Sequence, residues 1–202
     1  MAARLIYTGI TSLDGYINDA SGSFEWAFPD EELHAFVNET ERSIGTHIYG
    51  RRLYETMVYW ETAGLDANGA PGDASEDTAA DAVEREYGEI WRGLDKVVFS
   101  RTLTQPSSAR TTLHAEFDPS IVEKLKQTST ADVSVGGADL GGQALRAGLV
   151  DLVEIYAHPV IVGGGARFLP DLGSGDSRID LELVDHRTFA SGVTLHRYVP
   201  RT

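Results

Sequence analysis

Apolar residues recur along the chain at two spacings, every second residue in some stretches and every third or fourth in others. The changes between them mark out strands and helices. Arg4 to Thr11 is an extended, largely apolar run, and Ser12-Leu13-Asp14-Gly15-Tyr16-Ile17 turns and re-enters extended structure. Pro29-Asp30-Glu31-Glu32 then opens a helix. Proline suits a first turn, the acidic residues favour its positive end, and Leu33, Phe36, Val37 and Ile44 form an apolar stripe down to Gly45. Thr46 to Tyr49 reads as a short strand, Gly50 as a turn and Arg51 to Val58 as a second helix. From residue 61 to residue 78 the composition shifts to Ala, Gly, Asp, Asn and Pro, which marks a loop insertion within one domain.

Ala79 to Trp91 is expected to be helical, Lys96 to Ser100 a strand, Pro119 to Gln127 a helix, Val133 to Val135 a strand and Gly141 to Ala147 a helix. Leu152 to Ala157 and Pro159 to Val162 are extended, after which Gly163-Gly164-Gly165 reverses the chain. Leu181 to Phe189 and Val193 to Val199 alternate around Ala190-Ser191-Gly192 as an antiparallel hairpin. Strands alternating with helices and closing in a hairpin predict a mixed sheet in a three-layer α/β domain.

Composition narrows the function. The 202 residues, 42% of them hydrophobic, suit a single domain, residues 1–202. No basic and apolar leader opens the chain and no apolar run reaches bilayer length, so a cytoplasmic protein without a membrane partner is expected. The absence of cysteine removes thiol catalysis and thiolate metal sites, and the six histidines show no close ligand spacing, so no metal is expected. No G-x-S-x-G elbow marks a nucleophile. A formal net charge of −14 opposes general attraction to nucleic acid, and the acidic stretch from Glu61 to Asp95 reads as a solvated surface.

Against that acidic background, three predicted strand ends carry groups suited to an anion. Gly50-Arg51-Arg52 and Ser100-Arg101-Thr102 offer guanidinium forks and hydroxyl donors. Gly136-Gly137, between a β-branched strand and a helix, lets backbone N–H groups and the positive helix end face a phosphate. The spacing is neither G-x-G-x-x-G nor a P-loop. In open α/β sheets ligands bind outside the carboxyl ends of parallel strands, where these turns converge if their strands are parallel.

With Ser12-Leu13-Asp14-Gly15-Tyr16-Ile17, Gly50-Arg51-Arg52-Leu53-Tyr54-Glu55, Val98-Phe99-Ser100-Arg101-Thr102, Val135-Gly136-Gly137-Ala138, Ala147-Gly148-Leu149-Val150-Asp151 and Pro159-Val160-Ile161-Val162-Gly163-Gly164-Gly165 in order, nearly the whole chain resembles the dihydrofolate reductase-like fold. Within that fold it is similar to the reductase domain of bifunctional riboflavin-biosynthesis deaminase-reductases and its stand-alone relatives. The resemblance implies a mixed, mostly parallel sheet of about eight strands with a C-terminal antiparallel hairpin. It also implies NADPH as cofactor, a small heterocyclic substrate and a homodimer.

Carried over by residue, it puts Gly50, Arg51 and Arg52 near the pyrophosphate and 2′-phosphate, with Leu53 giving backbone contacts. Ser100, Arg101 and Thr102 fall at the adenosine phosphate, and Gly136, Gly137, Ala138 and Leu140 at the second phosphate turn. Glu32 takes the place of the single buried carboxylate that anchors the ring and assists its protonation, with Glu31 as rival. Asp14 shapes the Leu-Asp-Gly turn or meets substrate, and Trp26, Phe36, Tyr54 and Trp60 are candidates to line the ring. Where riboflavin-type reductases often carry a basic residue after the glycine, Tyr16 stands instead, which weakens the expectation of a phosphorylated substrate. The leading expectation is an NADPH-dependent reductase of a pteridine-like or pyrimidine-like heterocycle. The alternative is a non-catalytic nucleotide-binding or sensor module on the same fold.

Overall fold

In a computed structural model, residues 2–66, 68–70, 72, 78–172 and 178–201 are described. The chain forms β1 (Leu5–Ser12), α1 (Glu31–Glu41), β2 (Ile44–Gly50), α2 (Arg51–Met57), α3 (Ala79–Gly93), β3 (Asp95–Phe99), β4 (Thr111–His114), α4 (Pro119–Thr128), β5 (Asp132–Val135), α5 (Ala138–Arg146), β6 (Leu152–His158), β7 (Leu181–Thr188) and β8 (Thr194–Pro200). One eight-stranded sheet has the order β4-β3-β2-β5-β1-β6-β8-β7. Pairing is parallel from β4 through β6, and β8 then runs antiparallel to both β6 and β7. This is the mixed α/β sheet with a terminal hairpin that the alternation predicted, with the eight mostly parallel strands that the resemblance implied. Residues 67, 71 and 73–77 of the 61–78 insertion lie outside the described residues.

Alternate residues of the strands build two interiors. Leu5 and Tyr7 of β1, Ile48, Val97, Val133, Val135 and Val153 meet α4 and α5 through Val122, Leu140, Ala144 and Leu145. On the opposite face Ile10, Tyr156, Val193 and Leu195 meet Leu33, Phe36 and Val37 of α1. This face is also polar inside. Buried Glu41 holds His47 Nε2 at 2.6 Å, and the Tyr49 hydroxyl meets the other His47 nitrogen and accepts from Trp91 Nε1 at 3.1 Å.

Several boundaries differ from the reading of the sequence, among them the start of α5, at Ala138 and not Gly141. Asp30 caps the Leu33 N–H at 2.9 Å, so α1 starts one residue after it and ends at Glu41. Ile44, expected as the last of the helical stripe, instead begins β2. β4 went unseen because four residues of Thr-Thr-Leu-His are too short to show a period. Pro159 to Val162 form no strand, since β6 ends at His158.

Candidate functional site

β3, β2 and β5 are consecutive in the sheet, and their carboxyl ends carry the three turns. Gly50 is level with Phe99, Ile48 with Val135, and the Gly136 amide donates to Ile48 O at 3.1 Å. With strands about 4.8 Å apart, Ser100, Arg51 and Gly137 line one edge about 10 Å wide, while Gly136 is buried with its amide bonded to β2. Arg51 Nη1 donates to Thr102 Oγ1 at 2.6 Å, tying two of the turns together.

The local sequence explains the shape. A Cβ on Gly136 would stand 2.6 Å from Leu53 Cδ2, so this glycine lets α2 and β5 close together, whereas a Cβ on Gly50 would meet Leu140 Cδ1 at an ordinary 3.7 Å. Gly137 has φ +89°, which glycine adopts without penalty, and caps α5 with no side-chain hydrogen bond. The first-turn amides of α5 are therefore not engaged by a capping side chain. Leu53 packs with Tyr49, Tyr54 and Val98, and Leu140 is buried in the core under α5. Ala138 is half-buried at the start of α5.

The cations differ in availability. Among the described residues Arg52 has no ion-pair partner and is exposed. Arg51 pairs with Glu55 at 2.7 Å and Arg101 with Glu116 at 3.2 Å, all four exposed, so water screens the pairs and an anion can displace the carboxylates. Ser100 Oγ accepts the Thr102 and Leu103 amides at 3.2 and 3.0 Å, which fixes the turn and leaves its proton to donate. These residues suit a phosphorylated nucleotide: glycine turns without Cβ atoms, an uncapped helix and an unpaired guanidinium on one edge.

Several residues expected on the substrate side stand elsewhere. Glu32 was expected in an apolar pocket. Its carboxylate accepts the Ala190 amide at 2.9 Å and Arg187 Nη2 at 3.3 Å, and its side chain is 42% exposed. The reason is helical spacing: Glu32 shares a flank with Phe36, four residues on, and that flank faces the hairpin. Phe36 packs on Phe189 at 5.3 Å beneath the Arg187 guanidinium. Glu31 lies on the other flank with His34 and Asn38, where the His34 ring meets Trp60 at 5.9 Å just beyond α2. Tyr54 is buried, and its hydroxyl accepts the Ser107 amide and meets Ser108, pinning α2 to the β3–β4 loop.

Asp14 accepts the amides of Gly163 at 2.8 Å and Val162 at 3.2 Å. The Ser12 hydroxyl first, then these amides, hold its carboxyl below the usual carboxylate value. It fastens the glycine-rich loop after β6 to the end of β1. Trp26 lies at the end of β6, two strands from β5. Tyr16 bridges to Arg167, whose guanidinium sits 4.8 Å from the Tyr16 ring centre.

Sequence reasoning overlooked the polar pair nearest the glycine turn. Thr8, one residue past the level of Val135, donates to Glu154 at 3.1 Å, and buried Glu154 takes Arg197 Nε at 2.5 Å. A charged residue inside the apolar run Leu152 to Tyr156 was the available signal. Among the described residues no three His, Asp or Glu gather as metal ligands, and no helix is long and apolar enough to cross a membrane.

Residues 3–195 match the family model described as the RibD C-terminal domain, and the chain belongs to that family. It is 30% identical over 193 residues to an uncharacterised protein of Bacillus subtilis (strain 168), YyaP, covering 94% of this chain and 91% of the relative. Two solved structures share the fold at low identity. One is a diaminohydroxyphosphoribosylaminopyrimidine deaminase/5-amino-6-(5-phosphoribosylamino)uracil reductase from Thermotoga maritima (TM-score 0.61, 19% identity), covering 99% of this chain and 57% of that one. The other is a pyrimidine reductase-like protein from Corynebacterium diphtheriae (TM-score 0.63, 14% identity), covering 99% and 92%.

Proposed function

We propose that this member of the RibD C-terminal domain family is a reductase that lays NADPH across the carboxyl ends of β3, β2 and β5 and reduces a pteridine-like or pyrimidine-like heterocycle. The observation that carries the reading is the adjacency of three anion-suited turns on consecutive parallel strands, joined by the Arg51 to Thr102 hydrogen bond. Gly136, Gly137 and the first turn of α5 hold the pyrophosphate, and Arg52 with Arg101 and Ser100 takes the adenosine phosphate. An unpaired guanidinium in a chain of net charge −14 favours the more anionic dinucleotide.

When bound, the cofactor supplies the hydride. The chain must orient the acceptor ring and provide a proton. Between the two carboxylates at the start of α1, the flank favours Glu31, because Glu32 is held by the hairpin. Arg167, over Tyr16, adds positive charge beside the end of β1 for an acidic substituent.

The test is to add oxidised pterins and pyrimidines to protein with NADPH and follow the reduced-nicotinamide absorbance. Consumption that depends on the heterocycle supports the reductase. A nucleotide-binding or sensor module instead binds NADPH and consumes none with any of them.

A further inference from the structure

Four buried polar side chains form a hydrogen-bonded chain on the α1 and α3 side of β2: Glu41 at the end of α1, His47 and Tyr49 on β2, and Trp91 on α3. The Trp91 indole N–H can only donate and gives to the Tyr49 oxygen at 3.1 Å, while the ionised Glu41 carboxylate can only accept and takes His47 Nε2–H at 2.6 Å. His47 is then the neutral tautomer with its proton on Nε2, so Nδ1 accepts from the Tyr49 O–H and every donor is met. An imidazolium would donate from both nitrogens and leave the Tyr49 proton without an acceptor. Lys96, level with His47 on β3, does not interrupt the chain, because its ammonium donates to Leu94 O at 3.0 Å and Ala109 O at 3.3 Å.

Tyr49 immediately precedes Gly50, and its ring belongs to an apolar cluster that each of the three turns reaches. Leu53 comes from the first turn of α2, behind Gly50. Leu103 follows Ser100-Arg101-Thr102 and donates its amide to Ser100 Oγ at 3.0 Å. The edge of the Tyr49 ring lies 4.0 Å from where a Cβ on Gly136 would stand. The ring is thus a floor shared by the three turns. Phenylalanine would fill the same space. What the hydroxyl adds is a fixed position, since a buried and fully satisfied chain of hydrogen bonds ties the ring to α1 and α3.

We propose that Tyr49 is a positioning residue of the nucleotide cradle: the chain from Trp91 through Tyr49 and His47 to Glu41 holds its ring in place, so that the Gly50, Ser100 and Gly136 turns keep the spacing a dinucleotide needs. Tyr49 touches no ligand and acts through the Gly136 backbone, whose amide donates to the carbonyl of Ile48, the residue before Tyr49. The nucleotide half of this proposal rests on the reductase reading, and the backbone half does not. Because the ring lies under all three turns, its release weakens NADPH and NADH alike, unlike the loss of Arg52.

The test is Tyr49→Phe in the full chain, read first without nucleotide by amide hydrogen exchange. The Gly136 amide is expected to speed up about tenfold more than that of Val133, which is bonded to Arg4 O at the other end of β5. A general loss of stability would move Val133 at least as much as Gly136. NADPH and NADH are then each expected to bind about fivefold more weakly by calorimetric titration. Glu41→Leu, which removes the last acceptor, acts in the same direction, and Glu41→Gln, which keeps an acceptor for His47 Nε2–H, restores the parent exchange at Gly136. If Tyr49→Phe does not fold, the two Glu41 variants decide. Acceleration no greater at Gly136 than at Val133, a Glu41→Gln chain as loose as Glu41→Leu, or a loosened Tyr49→Phe that holds NADPH as tightly as the parent overturns the proposal. Local loosening in a chain whose parent binds neither nucleotide upholds the backbone half and overturns the reductase reading instead.

Discussion

The two ends of the sheet treat charge in opposite ways. At the carboxyl ends of β3 and β2 the arginine pairs are exposed, Arg51 with Glu55 and Arg101 with Glu116, and Arg52 stands free among the described residues. On the β6–β8–β7 side Arg197 bridges buried Glu154 and Asp185, and Arg187 with the Ala190 amide fixes Glu32. The first arrangement leaves polar groups for a ligand to recruit, and the second holds the hairpin on the sheet. A charged residue therefore reports function by whether its partner is exchangeable, more than by its type.

The comparison breaks most visibly at Glu154. Replacing it by Ala leaves Arg197 without its buried partner and should cost about 3 kcal/mol in urea unfolding, with NADPH affinity unchanged. A loss of affinity with intact stability would move Glu154 to the ligand side. On the cradle side Arg52→Ala should leave unfolding unchanged and weaken NADPH about tenfold while NADH changes by less than about twofold, as measured by calorimetric titration. Equal weakening of both nucleotides would remove Arg52 from the 2′-phosphate.

Gly137→Ala forces a side chain into φ +89°, at about 1–2 kcal/mol, and should weaken both nucleotides several-fold. Smaller still, Glu32→Gln should cost under about 1 kcal/mol of stability, because its ion pair is half-exposed. Turnover should stay within about twofold, whereas a loss of about a hundredfold would restore Glu32 as the proton donor. The smallest effect is acid sensitivity. Burial holds His34 and His158 below the ordinary value of 6.5, so below that pH the unfolded chain binds protons that the folded one does not. The melting temperature should be flat above pH 6.5 and fall as pH drops from there to the folded pKa values. A rise in stability on acidification through that window would contradict the assignment.

Much of the frame was legible because it is local. Asp30 before Glu31-Glu32 and Gly50 before Arg51 mark their helices at short range, and the alternation of β7 and β8 marks the hairpin, whereas α5 begins at Ala138, three residues before the Gly141 expected. The three turns proposed to meet the nucleotide stood out in the sequence for the same reason. What the sequence hid depends on partners distant along the chain. Tyr54 reads as a candidate ring-lining aromatic until Ser107 and Ser108 take its hydroxyl, and Asp14, already read as shaping its turn, does so through two amides of the loop after β6 that the sequence did not point to. Glu32 was within reach: it sits four residues before Phe36, so if Phe36 packs into the interior the carboxylate above it faces the same neighbour.

The central claim is that a dinucleotide lies on the edge formed by β3, β2 and β5. Backbone amide NMR shifts on adding NADPH test it most directly. The account predicts the largest changes at Gly136, Gly137, Ala138, Ser100, Arg101 and Arg52, with β7 and the 190–192 turn unmoved. Changes centred on the hairpin, or none at the three turns under saturating NADPH, would contradict it.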